Sequence, residues 1–286
     1  MPRGVPKSGV RMTRKRIAMT AFAPTLPIDV SNETDEEIEL KLADRFEILE
    51  EMTKGAVAGD IRALICSGPA GLGKSYTVDK ALQALPEGQY TAIRGMVNKT
   101  GLYKTLYQYR HPGNVIVFDD ADRIFFDDDS LGLLKAACDT MKTRTLSYLS
   151  EFKLVDEETA ELIPRQFVFE GTVIFITNMD FDHMIASGSK IAPHMEALVS
   201  RSHYIDLAMK TRRDYIIRIR QVVKQGMLQD HGLNKNQESE VMNFIEENQD
   251  KLRELSLRMA IKIAVLMKTT KDWKRTARVT CCRGMA

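Results

Sequence analysis

The chain has 286 residues, 44% hydrophobic and 28% charged, with a formal net charge of +2 from 41 Lys and Arg, 39 Asp and Glu. That is an ordinary globular composition, enough for one large core or two modest ones, and it excludes a disulfide scaffold, a collagen-like repeat and a low-complexity chain. No apolar run approaches the roughly 18 residues of a membrane span, so no membrane association is expected.

Arg3, Lys7, Arg11, Arg14, Lys15 and Arg16 precede the first acid, and with prolines and no periodicity they predict a basic, disordered tail over 1–32. Ile17 to Ile28 superficially resembles a secretory signal, but Pro24 and Pro27 interrupt it. From Glu33 to Ala58, Ile38, Leu40, Leu42, Phe46, Ile48, Leu49 and Met52 recur at mostly helical spacing among acids, predicting one or two helices.

The apolar run Ile61 to Cys66 then meets Gly68-Pro69-Ala70-Gly71-Leu72-Gly73-Lys74-Ser75, and Tyr76 to Leu85 continues without glycine or proline. Strand, glycine-rich loop and helix in that order form the context of a phosphate-cradling P-loop. Gly68, Gly71 and Gly73 let backbone N–H groups turn onto phosphates, with Pro69, Ala70, Leu72 and Tyr76 completing the cradle. Lys74 adds charge at the β- and γ-phosphates, and Ser75 offers a hydroxyl to Mg²⁺. ATP and Mg²⁺ are therefore the expected cofactors.

Further strands are predicted at Tyr90 to Arg94, Val115 to Phe118, Thr172 to Thr177 and His203 to Leu207, separated by helical stretches Ser75 to Leu85, Gly101 to Tyr109 and Leu131 to Thr140. Alternation of this kind predicts an α/β domain over 33–208 around a parallel, doubly covered sheet. Thr145 to Glu170 breaks the rhythm: two alternating segments flank an acidic turn, Asp156 to Glu161, and predict a hairpin-like insertion over 145–170. After Leu207 only helical patterns follow, at Arg212 to Gln225, Gln237 to Leu252 and Ser256 to Met267, predicting a small all-helical domain over 209–270 and a basic tail over 271–286. Cys66 reads as a core residue, Cys281-Cys282 as a reduced, exposed pair, and no Cys or His spacing suggests a structural metal.

Val115 to Phe118 delivers Asp119 and Asp120 to the carboxyl edge of the sheet, where ligands of open α/β sheets bind. Asp119 is placed to hold Mg²⁺ through water opposite Ser75, and Asp120 to orient or deprotonate an attacking water. Thr172 to Thr177 delivers Asn178 to the same edge, an amide suited to the γ-phosphate and the lytic water.

Together these segments resemble the AAA+ ATPase superfamily, with Walker A at Gly68 to Ser75, Walker B at Val115 to Asp122, sensor 1 ending in Asn178, and a helical lid over a five-stranded core. The texture is that of compact bacteriophage types. The resemblance implies an arginine finger at Arg201 acting on a neighbouring subunit, and a sensor 2 arginine at Arg258, with Ser256 as helix cap. Where the family carries a Walker B Glu, this chain has Asp120, one methylene shorter.

It further implies ATP hydrolysis in a hexameric ring or spiral, in the cytoplasm of a cell or of a host cell. Met96, Val97 and Lys99 fall at the family's central pore loop, and Arg144 and Arg165 border the insertion. Lysine suits a phosphate backbone, which favours DNA as partner and a motor, helicase loader or DNA-coating regulator. A protein-remodelling ATPase and a slow nucleotide-switched structural oligomer are the alternatives.

Overall fold

A computed structural model describes residues 32–149, 153–156 and 159–284; the expected N-terminal tail lies outside them except for its last position. The chain opens with α1 (Asp35–Ala58), one helix of 24 residues held at its start by a capping box between Thr34 and Glu37. The core continues as β1 (Ala63–Ser67), α2 (Lys74–Leu82), β2 (Tyr90–Arg94), α3 (Lys99–Gln108), β3 (Val115–Asp119), a 3₁₀ turn (Asp122–Phe126) and α4 (Asp128–Ala137). Next come the insertion strands β4 (Thr145–Ser147), β5 (Leu154–Val155), β6 (Leu162–Ile163) and β7 (Gln166–Val168). The core closes with β8 (Thr172–Thr177), α5 (Phe181–Ala186), α6 (Ala192–Val199) and β9 (His203–Asp206).

The main sheet has five strands in the order β2-β3-β8-β1-β9, all parallel. Every residue of β1, β3 and β8 is buried, as expected of strands covered on both faces. Alternate residues serve opposite cores. Leu64, Cys66, Val115, Val117, Ile174 and Ile176 face α1, α2 and the C-terminal helices. Ile65, Ile116, Phe118, Val173 and Phe175 face α3 to α6. Burial pushes the Cys66 thiol up to about 12, which leaves it an inert core group.

Within the insertion, β4 pairs antiparallel with β7 and, further out, β5 pairs antiparallel with β6. Arg144, expected at its border as a partner contact, is instead buried. Its guanidinium donates to the carbonyls of Ala137 at 2.7 Å and Gly171 at 2.8 Å and lies over the Phe169 ring. It therefore anchors the base of the insertion and is unavailable to a partner.

The C-terminal domain has five helices rather than three: α7 (Arg212–Lys224), α8 (Met227–Asp230), α9 (Lys235–Glu247), α10 (Leu257–Thr269) and α11 (Trp273–Cys281). The last of these corrects the expected tail over 271–286. Asp272 caps α11, Trp273 packs on Phe244 with ring centroids 5.4 Å apart, and Ala277, Cys281 and Cys282 are buried. Backbone bonds from Arg253 N to Cys281 O at 2.8 Å and from Arg283 N to Lys251 O at 2.7 Å tie down its end. Cys281 and Cys282 are thus core residues, not an exposed pair. Their apolar series, Trp273, Ala277 and Cys281, has helical spacing but is interleaved with basic residues that hide it.

Because Ala277 is fully buried, Ala277→Glu should lower stability by about 3 kcal/mol or more, the order of an unpaired buried charge. Thermal unfolding followed by circular dichroism checks this; a solvated tail would leave the midpoint unchanged.

Candidate functional site

The parallel register aligns the carboxyl ends of three buried strands. Ser67 lies opposite Thr177, and Asp119 opposite Ile176, so the P-loop, the Asp pair and Asn178 emerge side by side. Ser75 Oγ donates to Asp119 Oδ1 at 2.9 Å, which brings together the hydroxyl and carboxylate assigned to Mg²⁺. Lys74, itself buried, donates to the carbonyl of Gly68, to that of Pro69 at 2.8 Å and to Asn178 Oδ1 at 2.8 Å. Asn178 Nδ2 in turn donates to Asp120 Oδ1 at 2.7 Å. One amide therefore joins the P-loop lysine to the expected water-orienting carboxylate. Burial pulls the Lys74 ammonium below its ordinary pKa, a cost moderated by these acceptors.

Asp120 has φ of 53°, in the left-handed region, and its N–H donates to Ile176 O at 2.9 Å. Asp and Asn tolerate that region better than most residues, and such conformations concentrate at functional sites. The short side chain at this position thus accompanies a backbone that turns sharply off β3. Asp122, next along the turn, accepts from Thr177 Oγ1 at 2.7 Å, and burial raises its pKa.

The C-terminal domain completes the site as a lid. Leu257 N donates to Gly71 O at 2.8 Å, and Ser256 caps α10 through Met259 N at 3.1 Å. Gly71 has φ of 75°, and a Cβ there would stand 2.7 Å from the Ser256 Cβ, so glycine is needed both for the turn and for the lid's approach. A cleft of about 1010 Å³ runs between α1, the P-loop and the lid, and Asp120, Asn178 and Arg258 all line it. Tyr76 also lines it while remaining largely exposed.

Two further arginines belong to this site, and neither was singled out from sequence. Arg218 on α7 is buried, lies 3.4 Å over the Phe46 ring centroid, and bonds Gln221 Oε1 at 2.6 Å and Leu72 O at 3.4 Å. Burial pulls its pKa down to about 10, so it remains charged at neutral pH beside the P-loop. Its only sequence signal is a charge at an apolar-facing position of α7, between Ile217 and Ile219. Arg94 ends β2 opposite Asp119, bonds Asp119 Oδ2 at 3.1 Å and Asp79 Oδ2 at 2.8 Å, and the Asp119 bond raises its pKa. The flush ends of the predicted strands Tyr90 to Arg94 and Val115 to Phe118 are the signal that could have found it.

Other expected residues lie elsewhere. Arg201 precedes β9, outside the cleft, and bonds Ala197 O at 2.8 Å and Asp139 Oδ2 at 3.4 Å. Met96 is exposed, with Arg123 donating to its sulfur at 2.9 Å, while Val97 is partly buried against the core. Lys99 opens α3 and pairs with Asp129, so its charge is compensated within the chain. Arg165 is exposed on the insertion.

A five-stranded parallel sheet, a P-loop at the end of β1 and a C-terminal helical domain together make this a P-loop α/β fold. The chain belongs to the same family as a protein of Enterobacteria phage T4 described as the uncharacterized 36.7 kDa protein of the nrdC-mobD intergenic region. The two are 36% identical over 255 residues, covering 87% of this chain and 77% of the phage T4 protein. No protein-family model matches the chain. Similar solved structures include domain III of the Thermotoga maritima replication initiation protein DnaA, at 15% identity and a TM-score of 0.47 over 83% of this chain and 90% of that one. Another is NtrX from Brucella abortus in complex with ADP, at 12% identity and a TM-score of 0.44 over 83% of this chain; the chain spans about half (51%) of NtrX.

Gly71→Ala should separate lid and loop, through the clash with Ser256 and the φ of 75°. We expect at least a tenfold loss of nucleotide affinity in calorimetric titration, with the fold retained.

Proposed function

We propose that this protein binds and hydrolyses ATP at the P-loop cleft, in an oligomer that works on or with nucleic acid. The observation that carries the ATPase reading is the unbroken chain from Lys74 through Asn178 to Asp120, beside Ser75 and Asp119, on one sheet edge under a lid. In this reading Lys74 exchanges the Gly68 and Pro69 carbonyls for phosphate oxygens, and the N–H groups opening α2, which have no intrahelical acceptors, point to the same phosphates. Ser75 and the Asp119 carboxylate, already adjacent, fit a Mg²⁺ ion, which when bound would neutralise charge on the phosphates.

Asp120, steadied by Asn178, accepts a proton from the attacking water or orients it. Arg258 and Arg218 bring two lid cations to the cleft, so charge that develops during hydrolysis is met from above as well as from the loop. Arg201 serves the cleft of a neighbouring subunit, for which it must leave Asp139. The basic residues of the N-terminal segment, with no acid before Asp29, support a nucleic-acid partner. A protein-remodelling role is the second reading, favoured by the exposed apolar side chains Leu149, Val155, Leu162 and Val168 on the insertion.

Lys74→Ala should abolish nucleotide binding. Asp120→Asn, which keeps the left-handed backbone accessible, should bind ATP normally and hydrolyse it about 10² to 10⁴ times more slowly. Arg201→Ala should bind ATP but turn over about 10³ times more slowly, and mixing it with Lys74→Ala protein should restore activity by pairing an intact cleft with an intact finger. A normal hydrolysis rate for Arg201→Ala alone would overturn the trans assignment. Steady-state hydrolysis with and without single- and double-stranded DNA, at low and moderate salt, separates the partners: salt-sensitive stimulation supports nucleic acid, and brisk turnover indifferent to DNA supports a protein substrate.

A further inference from the structure

The residues first read as a tail form a cationic face on the lid. Lys271, Lys274, Arg275 and Arg278 stand at i, i+3, i+4 and i+7, spacing that places them along one side of α11 and the turn before it. All four are exposed, and none has a carboxylate within ion-pair distance among the described residues. Arg253 and Arg283 flank the far end; Arg283 donates to Arg253 O at 2.6 Å and Arg253 to Thr280 O at 3.2 Å, bonds to neutral groups that leave their charges uncompensated. Elsewhere on the lid, Arg212 pairs with Asp250, Arg220 with Glu246 and Asp35, and Lys262 with Glu254, while Lys235, Lys251, Arg258 and Lys268 are exposed without a carboxylate partner among the described residues but lie scattered over α9, α10 and the loop between them. Among the described residues of the lid, four unpaired cations are aligned only along α11 and the turn before it.

We infer that this face of α11 is a binding site for the phosphate backbone of a nucleic acid, deepening the nucleic-acid reading on which it rests. An anionic membrane surface fits less well. A helix lying on lipid needs a free apolar face, whereas Trp273, Ala277 and Cys281 are spent inside the lid and Val279 is the one large apolar side chain left outward on α11. Lysine and arginine along one edge instead match a row of phosphates, with affinity driven by counterion release and without base recognition.

The site is joined mechanically to the nucleotide cleft. Helix α10 begins at Leu257, bonded to Gly71 of the P-loop, and ends at Thr269, three residues before the Asp272 cap of α11. Any lid movement that follows the nucleotide carries the cationic face with it. Binding there should therefore differ between the ATP-like and ADP states and should alter hydrolysis.

The test is fluorescence anisotropy of labelled single-stranded and duplex oligonucleotides with full-length protein across a salt series, in ADP and in a non-hydrolysable ATP analogue. It compares wild type with Lys271→Gln/Lys274→Gln/Arg275→Gln/Arg278→Gln. The substituted protein should keep its thermal midpoint and basal hydrolysis, lose at least tenfold in affinity, flatten the log–log salt slope by about 3 to 4, and lose stimulation by nucleic acid. Wild-type binding that the substitutions leave unchanged in affinity and slope would overturn this site while sparing the nucleic-acid reading. No wild-type binding to either oligonucleotide would overturn both, and binding only to phosphatidylserine vesicles would replace the site's partner with a membrane.

Discussion

A buried ammonium must be met by acceptors, and much of this site follows from where Lys74 finds them. Two are carbonyls of its own loop, which hold the P-loop in a tight turn. The third is the amide of Asn178, contributed 104 residues later by the strand beside β1. An amide has both an acceptor and a donor, so the oxygen that satisfies Lys74 leaves the nitrogen to hold Asp120. Replacing it with a carboxylate would satisfy the lysine but repel Asp120; an apolar residue would strand both. The identity of the residue that follows β8 is thereby tied to the electrostatics of the loop that follows β1.

The lid is equally a part of this arrangement. It reaches the P-loop at Gly71 through backbone, at Leu72 through Arg218, and at the cleft through Arg258. Arg218 is stacked on Phe46 of α1, so the first helix of the chain forms the other wall of the cleft. Core, first helix and lid accordingly meet at one place, where each contributes charge or shape that the others lack.

Most of the core was legible in the sequence because its signals are local. An apolar run ending in a glycine-rich loop, or in two aspartates, carries its own meaning, and the five main strands with α1 to α4 lie within a few residues of expectation, whereas the short helices α5 and α6 were not expected. The sequence was less telling wherever the meaning depends on a distant partner. Arg144 looks like a free border charge until the carbonyls of Ala137 and Gly171 close around it. Arg218 looks like a surface residue until α1 supplies a ring to cover it. Helix α11 was hidden because its three inward residues are small or isolated, and composition was read over the basic majority around them. Arg201, read from sequence as a finger, lies outside the cleft and bonds Asp139 and Ala197 within the chain.

The contacts between α1 and α7 have a consequence for how the lid responds to its medium. Near the start of α1, Asp35 receives both Arg213 and Arg220, a half-exposed ionic fastening. Three turns along, Phe46 receives the buried Arg218. Dissolved ions weaken the first by screening and scarcely touch the second. Rising ionic strength therefore loosens the lid at its outer end while the inner end stays pinned against the P-loop, converting a two-point clasp into a pivot.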